Sequence, residues 1–360
     1  MKAPRLVAVI LAGGAGTRFW PLSRKHHPKP LLRAGGQRSL LAEAVARARS
    51  FAGRRDVWLV CGADHAAAMR KASGLPKDRV LVEPVGRNTA PAVALAAARI
   101  AAVDPEAIIT VLSADHRIPD TKAFAASVRR ATPAAQAGGL VTIGVRPTRP
   151  EPGYGYIRLG RSAGPAFPGL HRVARFVEKP NRATAERYLA RGGYLWNAGI
   201  FVWSARAILE AIEQHAPRLA RGLAPVRRAL AAGRAPARSV AKAWPRLPAE
   251  PIDTAVLEKS RQVWCLPVDW AWSDVGTWAS LAEALGVDAE KSRVLAGEAL
   301  LYDAPGNLVW GHDRPVVLLG VEGLAVIDAG DALLVTTLAK SGAVRDVVAR
   351  LRKQGRIDLL

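Results

Sequence analysis

Leu6–Leu32 reads LVAVILAGGAGTRFWPLSRKHHPKPLL. The apolar, β-branched run Leu6–Leu11 has the texture of a buried strand and stops at Gly13-Gly14. A turn of small residues follows, then Arg18, and then Lys29 ahead of a second apolar pair. Glycines let backbone N–H groups approach an anion closely, and Arg18 and Lys29 are placed to neutralise its charge. The stretch therefore predicts a phosphate cradle at the carboxyl end of a strand.

Working outward, strands are expected at 56–61, 79–82, 107–112 and 139–145, with helices at 39–50, 63–72, from Asn88-Thr89 onward, and at 122–136. This alternation predicts a parallel sheet covered on both faces, with ligands at the carboxyl ends of its strands. Gly13-Gly14, Glu83 and Asp115 fall at those ends. From Gly153 the pattern changes. A strand at 170–180 delivers Glu178 and Lys179 to a turn, a helix is expected at 182–190, and Tyr194–Trp203 is an apolar strand with Asn197 in its middle. A proline-punctuated helical region then leads to a strand at 262–268. From about Arg293, short strands at 308–310, 315–319, 324–328 and 333–336 alternate with glycine turns, and a helix at 342–353 closes the chain. The expected domains are 1–290 for catalysis and 291–360 for a small β-rich, oligomerising tail.

Composition narrows the classes. The 360 residues are 50% hydrophobic, and no long uninterrupted apolar run or leader-like segment occurs, so neither a membrane span nor a signal peptide is expected. Cys61 and Cys265 are the two cysteines, each inside an apolar strand-like segment. They are expected as buried, unpaired thiols in a reducing cytoplasm, and a zinc site or disulfide scaffold is excluded. The net charge of +22 invites a nucleic-acid reading. The arginines are dispersed, however, without a basic tail or nucleic-acid motif, so acidic small substrates are the expected partners and nucleic acid is not.

Two phosphate motifs can be set aside. A Walker loop requires Gly-Lys, a pair absent from the chain, and the dinucleotide fingerprint requires glycine at position 19, which is Phe19. The opening stretch instead resembles the nucleotide-binding signature of the sugar-nucleotide pyrophosphorylases, within them the mannose-1-phosphate guanylyltransferases. The resemblance continues, in family order, through Glu83-Pro84, Gly86–Pro91, Ser113–His116, Gly153–Ile157, Phe176–Pro180, Trp196–Phe201, Ile252–Lys259 and Trp272–Gly276.

It implies a GT-A-like, Rossmann-like α/β nucleotidyltransferase domain with a mixed central sheet, a small C-terminal β-helix-like domain, and a homodimer. The implied reaction joins GTP and mannose 1-phosphate to give GDP-mannose and pyrophosphate, with Mg²⁺ as cofactor. Leu11, Ala12, Gly13, Gly14, Gly16 and Thr17 would hold the nucleotide. Arg18 and Lys29 would stabilise the reacting phosphorus and the departing pyrophosphate. Asp115 and Asp274 would ligate the metal, with Asp115 also counted as catalytic. Glu83, Asn88 and Thr89 would lie near the base. Glu178 and Asn197 would contact sugar hydroxyls, Gly155 the sugar through its backbone, and Lys179 the sugar phosphate. Structural readings stand beside these: Asp274 as a helix N-cap, Asn197 as a core amide, Trp270, Trp272 and Trp278 as core, and His26 and His27 as loop residues. The alternative functions are a pyrophosphorylase for another sugar or nucleotide, a non-catalytic nucleotide-sugar sensor, and an RNA-binding protein.

Overall fold

The computed structural model describes residues 3–14, 16–233 and 237–360. They divide into two compact units: the first takes the chain up to Gly13, Ala44–Ala114 and Ile118–Ala271, and the second takes Gly14–Glu43, Asp115–Arg117 and Trp272–Leu360.

The first unit contains a nine-stranded sheet of β1 (Leu6–Ala12), β2 (Val57–Gly62), β3 (Val80–Glu83), β4 (Ile108–Ser113), β5 (Leu140–Val145), β6 (Tyr156–Ser162), β7 (His171–Val177), β8 (Tyr194–Ser204) and β9 (Val263–Val268). Its order is β3-β2-β1-β4-β8-β5-β9-β7-β6. The first four strands pair in parallel, as the strand–helix rhythm predicts. The long strand β8 then inserts antiparallel between β4 and β5, making the sheet mixed. Strand β6 lies where the sequence pattern shows only an interruption, because Arg158, Gly160 and Arg161 break its apolar alternation.

The helices are α1 (Leu40–Ala48), through which the unit boundary runs, α2 (Ala66–Ser73), α3 (Thr89–Ala101), α4 (Thr121–Gln136), α5 (Arg182–Arg191), α6 (Ala205–His215), α7 (Pro217–Ala231) and α8 (Ala237–Ala243). Small alanine side chains let α3 sit close against α6 and α7 in the main core. Cys61 and Cys265 are both buried and unpaired.

The second unit adds α9 (Trp278–Ala284), β10 (Arg293–Ala296), β11 (Ala299–Tyr302), β12 (Leu308–Trp310), β13 (Val316–Leu319), β14 (Leu324–Asp328), β15 (Leu333–Thr337) and α10 (Val344–Lys353). Strand β12 pairs in parallel with β10 and β14, and β11 with β13, so successive turns of chain stack as in a β-helix. The stack needs glycine at one corner, since a Cβ on Gly297, at φ 69°, would sit 2.7 Å from the backbone of Gly311. Asn307 is fully buried, and its side chain satisfies the carbonyls of Ala304 and Val321 and the N–H of Leu324.

The core of this unit draws on segments far apart in the chain. Leu308, Ala325, Ile327 and Val344 from the tail pack in one cluster with Phe19, Trp20, Leu32 and Trp278. The apolar side chains beside the glycine-turn segment have to be covered, and the tail covers them.

Candidate active site

In the second unit, the chain leaves the glycine turn into a short 3-10 turn, Thr17–Phe19. Gly14 is exposed at φ 90° with open space where a Cβ would stand. Gly16, at φ 60°, is closed in: a Cβ there would collide with the Lys29 side chain and come within 3.0 Å of Ser23 Oγ. Glycine at 16 is thus what allows Lys29 to lie against the turn. Arg18 is exposed and has no ion-pair partner among the described residues.

Lys29 is 6% exposed. Its Nζ donates to Asp115 Oδ2 at 2.7 Å and to the Asp274 carbonyl at 2.8 Å, above the Phe19 ring. A short two-bond bridge unites the distant aspartates: Arg117 and Ser273 exchange backbone hydrogen bonds of 2.9 and 3.1 Å. Burial works to raise the Asp115 carboxyl, but the Lys29 ammonium and the adjacent His116 outweigh it and hold it below its ordinary value. His116 Nδ1 in turn accepts from Trp272 Nε1 at 3.3 Å. Asp274 does not cap α9. Thr277 does, in a capping box with Ser280, while Asp274 Oδ1 accepts from the Gly276 N–H at 2.9 Å. Val275, between them, is a buried β-branched residue at φ 46°, a conformation that costs on the order of 1–3 kcal/mol and recurs at functional loops. Trp278 is fully buried, whereas Trp270 and Trp272 are half-buried.

The first unit carries the other residues. Leu11 and Ala12 end β1, and Gly13 has open space around it. Glu83 ends β3, is 6% exposed, and its Oε1 has no hydrogen-bond partner among the described residues. Burial pushes its carboxyl up to about 7. Asn88 and Thr89 are occupied by backbone. Asn88, at φ 66°, accepts from the Thr89 N–H, and Thr89 Oγ1 accepts from the Ile252 N–H at 2.8 Å. Their side chains shape the loop that follows Glu83.

Gly155, Glu178, Lys179 and Asn197 come together. The Asn197 N–H donates to the Gly155 carbonyl at 2.8 Å, and a Cβ on Gly155 would meet Glu178 Oε2 at 2.5 Å. Lys179, exposed and at φ 46°, pairs with Glu178 at 3.1 Å. Asn197 Oδ1 accepts from Thr142 Oγ1 and from the Gly199 N–H, each at 3.2 Å. Its Nδ2 donates to Asp253 Oδ1 at 2.8 Å.

The comparisons bear on both clusters. The family described as "Nucleotidyl transferase" matches residues 7–291, and "MannoseP isomerase/GMP-like beta-helix domain" matches 297–351. The chain is 37% identical to the mannose-1-phosphate guanylyltransferase of Escherichia coli K12, covering 99% of this chain and 75% of the relative. It is 37% identical to the alginate biosynthesis protein AlgA of Pseudomonas aeruginosa, covering 98% and 73%. A solved structure described as mannose-1-phosphate geranyltransferase from Thermus thermophilus superposes with a TM-score of 0.85 at 36% identity, over 97% of this chain and 99% of that one. The chain belongs to the mannose-1-phosphate guanylyltransferase family of nucleotidyltransferases.

Within this guanylyltransferase-family chain, sequence reasoning assigned no role to Asp253. It sits on a π-helical turn, Asp253–Leu257, a geometry common at functional sites. Burial, and next the charge of Glu178, push its carboxyl up to about 6. The available signal was its place in the Ile252–Lys259 block, the second residue of a stretch that resembles the family. Among the described residues no group of three His, Cys, Asp or Glu side chains is arranged to hold a metal, and no helix is long and apolar enough to cross a membrane.

Proposed function

We propose that the chain transfers GMP from GTP to mannose 1-phosphate, giving GDP-mannose and pyrophosphate. The observation that carries this reading is a buried lysine fixed between two aspartate positions, beside an exposed, unpaired arginine and an open glycine turn, in a guanylyltransferase-family chain. A phosphate oxygen of mannose 1-phosphate attacks the α-phosphorus of GTP. A new P–O bond forms, the bond to the β-phosphate bridging oxygen breaks, and pyrophosphate leaves with that electron pair. No proton need move. The protein's work is alignment and charge neutralisation in a preorganised site. Lys29, held in place by Asp115 and the Asp274 carbonyl, and Arg18 offset the charge that builds on the phosphates. Backbone N–H groups at Gly13-Gly14 cradle the chain of phosphates.

The donor set suits Mg²⁺, which takes one or two carboxylates and completes its shell with phosphate oxygens and water. Asp115 and Asp274 would hold it, and it would supply further neutralisation of phosphate charge. Glu83, a buried carboxylate lacking a donor, suits the N1–H and exocyclic N–H of guanine. Asn197, oriented by Thr142, Gly199 and Asp253, suits sugar hydroxyls together with Glu178, and Lys179 suits the sugar phosphate. The tail suits self-association: Leu300 and Tyr302 of β11 stand opposite Val317 and Leu319 of β13, all exposed.

Pyrophosphate release tests the reading, with Mg²⁺ and four NTPs against the 1-phosphates of mannose, glucose and N-acetylglucosamine. GTP with mannose 1-phosphate should turn over fastest. No turnover with any pair would overturn it, and activity confined to UTP or dTTP with glucose 1-phosphate would reassign the substrate. Asp115→Asn and Asp274→Asn should each lower kcat by on the order of 10²-fold. Sedimentation should give a dimer that Leu319→Asp shifts toward monomer.

A further inference from the structure

Beside α5 in the first unit lies a cavity of about 750 Å³, lined by Arg175, Arg187, Arg191, Thr184, Tyr188 and Tyr194 among others. None of these enters the reaction described above. Guanidinium groups only donate hydrogen bonds, the hydroxyls can donate, and no carboxylate lines the space.

The sheet concentrates the charge further. Arg158 of β6 is registered directly between Arg175 of β7 and Tyr194 of β8. Like charges placed opposite each other across strands destabilise a sheet. Among the described residues neither Arg158 nor Arg175 nor Arg191 has an acidic partner, and Arg187 donates only to the neutral Thr184 hydroxyl, at 2.9 Å. The wall is firm: Tyr188 stacks on Tyr194 with centroids 3.9 Å apart and planes 10° apart, and Tyr156 abuts Tyr188 at 5.5 Å. A concave, donor-rich surface that keeps an uncompensated arginine row is short of an anion. Its volume lies within the range of small-molecule sites.

We propose that this groove binds a diphosphate-bearing effector, with Arg175, Arg187 and Arg191 clasping the phosphate oxygens and the tyrosine hydroxyls completing the shell. Two sources carry that group: free pyrophosphate, and a nucleoside diphosphate sugar.

The test is calorimetric titration of the full chain with sodium pyrophosphate and, separately, with GDP-mannose, alongside thermal melts. The wild type should show one more binding event per chain than Arg175→Gln/Arg187→Gln/Arg191→Gln, which should bind in that event about tenfold or more weakly. Turnover at saturating substrate should stay within about twofold. An extra event with pyrophosphate alone would identify the free diphosphate as effector, and one with GDP-mannose alone the nucleotide sugar. The single variant Arg175→Gln carries a separate signature. Relief of the cross-strand repulsion should raise its ligand-free Tm, while the Tm gain on adding pyrophosphate shrinks. Identical titrations and identical ligand-induced Tm gains in wild type and variants would overturn the proposal, whatever the enzyme's substrates prove to be.

Discussion

Asn197 donates a 2.8 Å hydrogen bond to Asp253, a carboxylate that burial and the neighbouring Glu178 hold up to about 6. The folded chain therefore binds this proton more tightly than the unfolded chain does. The contribution of Asp253 to stability is greatest below the ordinary carboxyl range and declines as pH rises to about 6, staying low above it. Asp253→Asn removes the charge and keeps an acceptor for Asn197. Urea unfolding at pH 4 should give nearly equal stability for the two proteins, and by pH 8 the variant should be the more stable by up to about 3 kcal/mol. Its KM for the sugar phosphate should nevertheless rise, because an amide in place of the carboxylate relaxes the orientation of Asn197.

Glu83 makes a prediction of opposite consequence. Its carboxyl, at about 7, must be ionised to accept from a guanine edge. The KM for GTP should rise as pH falls below about 7, and Glu83→Gln should flatten that profile at the high-KM level. Initial rates from pH 6 to 8.5 check this. A profile unchanged by the substitution would remove Glu83 from base recognition.

Lys29→Met should be more damaging than loss of one surface charge. The lysine is buried on Asp115, whose side chain is 26% exposed, so its removal takes away that carboxylate's hydrogen-bonded cation, at about 1–3 kcal/mol, and should lower kcat by about 10²-fold or more. Lys29→Arg should restore stability better than rate, since a planar fork cannot reproduce the paired contact to Asp115 and the Asp274 carbonyl. Parallel denaturation and single-turnover measurements separate the two losses.

Ile327→Ala tests the tail. Ile327 is fully buried in the cluster that contains Phe19 and Leu32. The truncation should cost about 2–5 kcal/mol. The substitution lies far along the chain from Lys29, yet it should lower the midpoint at which activity is lost in urea.

The parallel half of the sheet was legible because β1 to β4 are short apolar runs separated by helices, a rhythm that local sequence carries. The position of β8 was not: its apolar texture declares a strand, but its antiparallel place between β4 and β5 depends on pairing across distance. At the site, residue types were legible and their bonds were not. Asp115 and Asp274 could be named, while the Arg117–Ser273 bridge that joins them is a backbone event with no side-chain signature. Asp274 suits a cap by residue type, but the hydrogen bonds give that place to Thr277. Asp253 stayed hidden because its role comes from Asn197 and Glu178, both far away in sequence.

The second unit is assembled from Gly14–Glu43, Asp115–Arg117 and Trp272–Leu360. During synthesis the segment carrying Arg18 and Lys29 leaves the ribosome early, while the residues that complete its core, Leu308, Ala325, Ile327 and Val344, leave late. Phe19 and Trp20 therefore remain uncovered through most of translation, an apolar target for chaperones. A nascent chain arrested before β14 carries Arg18, Lys29, Asp115 and Asp274 and lacks Ala325, Ile327 and Val344 of the core.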